Sequence, residues 1–148
     1  MKKSVIAIVT AGLLATSAFG VTNECKEELK HLKKDLSNIT DKGAECLAQK
    51  LAVVLNSAFA QQSSSTDKMH IFYKRKTMIM KGNSTSSQVP RMTKAAQREQ
   101  IRGVCVNDPR IRILLQHGIK WRVDLTTPKQ HVVLNITEKV CKKNHFWK

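Results

Sequence analysis

The chain is poor in acids, aromatics and metal-type cysteine spacings. Eleven Asp or Glu stand against 26 Lys or Arg in 148 residues, with one Tyr, four Phe and two Trp. So few aromatic rings argue against the stacking platforms used by single-strand nucleic-acid binders. No two cysteines stand close enough to form a Cys-x-x-Cys metal pair, which excludes the usual zinc knuckles. Gly-x-Ser-x-Gly, His-Glu-x-x-His and a glycine-rich phosphate loop are all missing from the sequence, and with them the hydrolase, metalloprotease and nucleotide-binding classes they mark. No catalytic residue, metal or cofactor is expected on these grounds. After residue 20 no apolar run is long enough to cross a bilayer as a helix, and no internal repeat is visible.

What is present begins with an export signal. Met1-Lys2-Lys3 forms a short positive start, 5–19 carries no charge, and Ala18-Phe19-Gly20 sets small residues at the positions a signal peptidase reads. A cut after Gly20 leaves 128 of the 148 residues, enough for a modest core. Periplasmic or secreted localisation is expected, and the lysine-led signal has a bacterial character. Cys25, Cys46, Cys105 and Cys141 make an even count, which in a small exported protein reads as two disulfides. Four cysteines allow three connectivities. Cys25–Cys46 with Cys105–Cys141 is favoured, because each pair then stays within one half of the chain. One tension follows. In a plain helical hairpin Cys25 and Cys46 start successive helices, and a helix of about 12 residues would hold them roughly 18 Å apart. A bridge needs their Cα atoms within about 7 Å. Either the first helix is short and the following break folds back along it, or the connectivity differs.

Residues 24–37 read as an amphipathic helix through Leu29, Leu32 and Leu36, and 38–43 as a polar break. A second helix follows over 44–60, with Leu47, Leu51, Val54, Leu55, Ala58 and Phe59 as its stripe. Residues 61–68 form a polar linker. Residues 69–80 read as one strand, bent where its alternation slips at Lys74-Arg75-Lys76. A Ser/Thr-rich loop over 82–90 precedes a helix over 93–106. Asp108 then caps and Pro109 opens a further helix, which Gly118 ends in a left-handed residue. Ile119, Trp121, Val123 and Leu125 alternate with polar residues, and Val132, Leu134 and Ile136 return in a strand ending near Cys141. The domain plan is a signal over 1–20, a helical hairpin over 21–60, the linker over 61–68 and a basic α+β unit over 69–148. The fold class expected is α+β: an N-terminal helical hairpin, a small antiparallel sheet with a crossing helix, and two disulfides.

The charge is unevenly spread. Residues 21–60 hold six cations and six acids, whereas 69–148 hold 17 Lys or Arg against four acids, an excess of 13. Arg91, Lys94, Arg98 and Arg102 recur at helical spacing and would form one ridge. Like charges at that spacing repel, so nothing local rewards them. Lys120 and Arg122 share the outer face of a strand. These six residues are the candidate anion-binding set. They suit an acidic protein or a polyanion, such as an envelope glycolipid or nucleic acid. They equally suit a merely solvated basic face. A second reading is a secreted basic nuclease, with His117, Lys120 and His131 brought together by the hairpin. A third is a periplasmic immunity or inhibitor protein.

The run Val104-Cys105-Val106-Asn107-Asp108-Pro109, then Arg110, Leu114-Leu115 and Gly118, with a hairpin closed by Cys141, is similar to a pattern in small exported bacterial proteins. The resemblance covers residues 69–141, about half of the chain. Most such proteins have no assigned role, and some are linked to virulence or envelope secretion. The resemblance implies an exported accessory or binding protein and carries no catalytic residues.

Overall fold

A computed structural model describes residues 21–147; the signal assigned to 1–20 lies outside them. Five helices and four strands follow in the order α1 (Asn23–Lys30), α2 (Asp41–Gln62), β1 (Asp67–Lys74), β2 (Thr77–Ser84), α3 (Lys94–Val106), α4 (Pro109–Gln116), β3 (Lys120–Thr126), β4 (His131–Ile136) and α5 (Glu138–Lys143). Every helix opens on a side-chain cap: Thr22, Thr40, Thr93, Asp108 and Thr137 each accept from a backbone N–H of the first turn. The protein is α+β with two disulfides, Cys25–Cys46 and Cys105–Cys141.

The tension over the first bridge resolves through a short α1. The helix ends at Lys30, not near residue 37, and Leu36 takes a left-handed φ of 59°. The segment 31–40 then folds back. Asn38 closes it by donating from Nδ2 to the His31 carbonyl at 2.8 Å and accepting from the Lys33 N–H at 2.9 Å. The returning loop lies on Gly43, where a Cβ would stand 3.2 Å from Ile39 and 3.3 Å from Leu32. Cys25 and Cys46 thereby reach a Cα separation of 4.9 Å. The expected hairpin of two comparable helices is accordingly a two-turn helix clipped to a 22-residue one.

The α2 stripe is also displaced from expectation. Ala44, Ala48, Leu51 and Ala52 are buried, while Leu47, Leu55 and Phe59 pack only partly and Val54 is exposed. Small alanines let the helix lie close to the sheet, so backbone proximity decides the buried face ahead of side-chain size. Residues 61–68 do not act as a separating linker. The helix runs to Gln62 and β1 starts at Asp67. Both halves of the chain feed one hydrophobic core.

The sheet order is β1-β2-β3-β4. β1–β2 and β3–β4 are antiparallel, and β2–β3 is parallel, joined over the crossover that carries α3 and α4. The single bent strand expected over 69–80 is in fact a hairpin. Its two-residue turn is Arg75-Lys76, both left-handed at φ 50° and 59°. Such turns normally signal themselves by Asn-Gly or Asp-Gly, which is why this one reads as a slip in alternation. Replacing Arg75 by Asn and Lys76 by Gly is expected to stabilise the fold by about 1–2 kcal/mol through relief of two left-handed non-glycine residues. A urea midpoint that falls in this variant would contradict the turn assignment.

Met69, Ile71, Met78, Met80, Trp121, Val123, Val132, Leu134 and Ile136 form the inner face of the sheet, against α2, α3 and α4. β1 is an edge strand, and its Ile71 N–H is taken by the Asn56 side chain of α2 at 3.0 Å. The strand expected to run to Cys141 ends at Ile136; Cys141 lies in α5, so the second bridge ties α3 to a helix. The basic tail turns back into the core. Trp147 is buried and its indole Nε1–H donates to the Cys105 carbonyl at 2.7 Å.

Candidate anion-binding surface

Strand alternation puts a second set of side chains on the other face of the sheet. Register aligns them in cross-strand rows: Lys74, Thr77 and Lys120; Phe72, Ile79, Arg122 and Asn135; His70, Lys81, Asp124 and Val133; Lys68, Asn83, Thr126 and His131. Among the described residues no helix covers this face. Its members are exposed or half-buried, Asp124 alone being buried. Phe72 and Ile79 do not belong to the hydrophobic core. They form a small apolar centre flanked by Lys68, Lys74, Lys81, Lys120 and Arg122.

The one acid on the face is occupied. His131 Nε2–H donates to Asp124 Oδ1 at 2.8 Å, and Arg122 Nη2 lies 3.6 Å from Oδ2. Lys68, Lys74, Lys81 and Lys120 form no ion pair among the described residues. The face is therefore a cationic platform whose lysine backbones are held in register by the strands, so a partner meets it without ordering a loop.

The six sequence-predicted residues divide. Lys120 and Arg122 belong to this platform. Arg91, Lys94, Arg98 and Arg102 lie on or beside α3, on the helical side of the sheet. Arg98 serves the fold: its guanidinium donates to Asn144 Oδ1 at 3.0 Å and to the Asn144 carbonyl at 3.3 Å, and stacks over Phe146 at 4.7 Å. Arg102 lies 3.9 Å from Glu99. The supposed ridge thus leaves Arg91 and Lys94 as its unoccupied cations. The residues missed are Lys68 and Lys81, while Lys74 is legible in the sequence as part of the basic cluster Lys74-Arg75-Lys76. Their signal is the alternation of Lys68, His70, Phe72 and Lys74 against Met69, Ile71 and Tyr73, and it is broken in the sequence only by the Arg75-Lys76 turn.

His117, Lys120 and His131 do not come together. His117 caps the C-terminus of α4, where its Nδ1–H donates to Asp41 Oδ1 at 2.7 Å. His131 pairs with Thr126 at the far end of β3 from Lys120, six residues or roughly 20 Å along the strand. The expected convergence of His117, Lys120 and His131 is overturned by this register. The four cysteines are all bridged, and no group of His, Cys, Asp and Glu among the described residues is arranged to hold a metal ion.

Tyr73, on the inner face of β1, donates its hydroxyl to Glu45 Oε1 of α2 at 2.9 Å. Burial, then the hydrogen bond and charge of Glu45, push its pKa up to about 12. The folded protein thus holds a proton that the unfolded chain releases near pH 10. This contribution to stability is intact below about pH 10 and is lost as pH rises towards about 12. Tyr73 is the protein's one tyrosine, so tyrosinate absorbance isolates it. The native midpoint is expected near 12, falling in Glu45→Gln; a native midpoint near 10 would show that the contact with Glu45 is absent in solution.

Comparison with protein-family models, with curated proteins and with solved structures finds no match to this chain.

Proposed function

We propose that the protein is an exported accessory or binding protein, periplasmic or secreted, which holds an anionic partner against the uncovered face of its sheet. The observation that carries this reading is the pairing state of that face: four lysines and an arginine surround an acid already taken by His131 and Arg122. Four cations left unpaired on one uncovered face raise a positive potential there that draws an anionic partner to it. Export is supported by the apolar leader over 1–20 and by two disulfides, which persist in oxidising compartments. Among the described residues no helix is long and apolar enough to cross a membrane.

Salt dependence tests the reading. Titration with a single-stranded oligothymidylate should give a log K against log salt slope of about −3, the value for four phosphates neutralised. A slope near zero, or no binding at low salt, would remove the electrostatic platform as the binding surface.

A further inference from the structure

The cationic face does not end on solvent. At its outermost row it meets a cleft of about 390 Å³, bordered by the ends of α2, β2 and β3, the start of β1 and the loop 85–93. Its apolar lining includes Phe59, Met69, Val89, Met92 and Leu125. Gly82 keeps that lining compact: a Cβ there would come within 2.7 Å of Leu125 Cδ2 and 3.4 Å of Met69 Cε. Lys68, Asn83 and Thr126 belong both to the cleft and to the last row of the open face. Lys68 is the one cation of the lining, and exposed Arg91 and Lys129 adjoin lining residues along the chain, Arg91 between Pro90 and Met92 and Lys129 before Gln130. The acid at the rim, Asp67, accepts from the Ser84 hydroxyl.

An apolar recess that shares Lys68 with a cationic platform and has Arg91 and Lys129 adjoining its lining complements one chemistry: an anionic headgroup carrying an acyl chain. We propose that the partner is an anionic lipid, its head on Lys68 at the end of the sheet, within reach of Arg91 and Lys129, and its chain in the cleft. This proposal rests on the anionic reading of the sheet face and narrows it. Nucleic acid offers the charge without the chain.

The test uses the purified, disulfide-bonded protein and lysophosphatidylglycerol below its micelle concentration. Two comparison ligands accompany it: lysophosphatidylcholine, with the chain but no net charge, and glycerol phosphate, with the charge but no chain. The expected result is one lysophosphatidylglycerol per protein, with both comparison ligands weaker by about tenfold or more. Affinity should rise roughly fourfold with each added methylene until the cleft is full. Val89→Trp, which fills the cleft from its loop side, should weaken the lipid by about tenfold and leave oligothymidylate binding unchanged. The chain-length series on the unaltered protein decides the matter even if that variant does not fold. Glycerol phosphate binding as tightly as the lipid, a flat chain-length series, or binding of oligothymidylate without the lipid would each overturn the lipid proposal and leave the cationic face standing. Failure of both the lipid and oligothymidylate to bind would bring down the face itself.

Discussion

Charge reversal at Lys74 and Lys120 together is expected to weaken binding of an anionic probe at low salt by about a hundredfold or more. The two lysines flank Thr77 in one row of the open face, on β1 and β3. Both are exposed and make no ion pair among the described residues, so replacing them by glutamate removes no contact that the fold uses. They also stand clear of the row that holds Asp124. The same change in formal charge made on α3, as Lys94→Glu with Arg102→Glu, is the control. It alters the net charge equally and the sheet face not at all, and is expected to shift affinity by less than about tenfold. Equal losses in the two double variants would mean that net charge, not this surface, attracts the probe. Arg98 is unsuitable for such a test, because its guanidinium joins α3 to Asn144 and Phe146 and its loss would perturb the fold.

The second large effect is on stability. Trp147→Ala is expected to cost about 3–5 kcal/mol, seen as a fall in Tm of roughly 10 °C or more. Cys105 lies in the last turn of α3, and the residue four ahead is Pro109, which has no N–H to offer its carbonyl. The Trp147 indole supplies the missing donor at 2.7 Å, while the Arg112 guanidinium covers the ring at 4.7 Å. Trp147→Phe keeps most of the packing and removes the donor, and is expected to cost about 1–3 kcal/mol for the stranded carbonyl. A Trp147→Ala protein as stable as the parent would show that the C-terminal segment does not close the core.

The parts of this fold that were readable in the sequence are those written in local chemistry. The α3 helix within one residue of the expected 93–106, the Asp108-Pro109 start of α4, the left-handed Gly118 and the alternating β3 all stand where short-range signals place them. The features that escaped depend on tertiary context. The Arg75-Lys76 turn carries no glycine or asparagine, so two strands read as one. Ala44, Ala48 and Ala52 form the buried stripe of α2 only because the sheet lies close to it. Trp147 is central because Pro109, 38 residues earlier, leaves a carbonyl without a donor. The anion-binding set shows the same division. Lys120 and Arg122 were recognisable from alternation alone, whereas Lys68, Lys74 and Lys81 join them only through the β1–β2 hairpin and the parallel pairing of β2 with β3.

Under the proposed function this sheet face, rather than the α3 ridge, receives the partner. Backbone amide shifts recorded by nuclear magnetic resonance during titration with oligothymidylate measure it most directly. The predicted footprint covers Lys68, His70, Lys74, Lys81, Lys120 and Arg122, on three adjacent strands. A footprint centred on Arg91, Lys94, Arg98 and Arg102, with the strands unmoved, would contradict it.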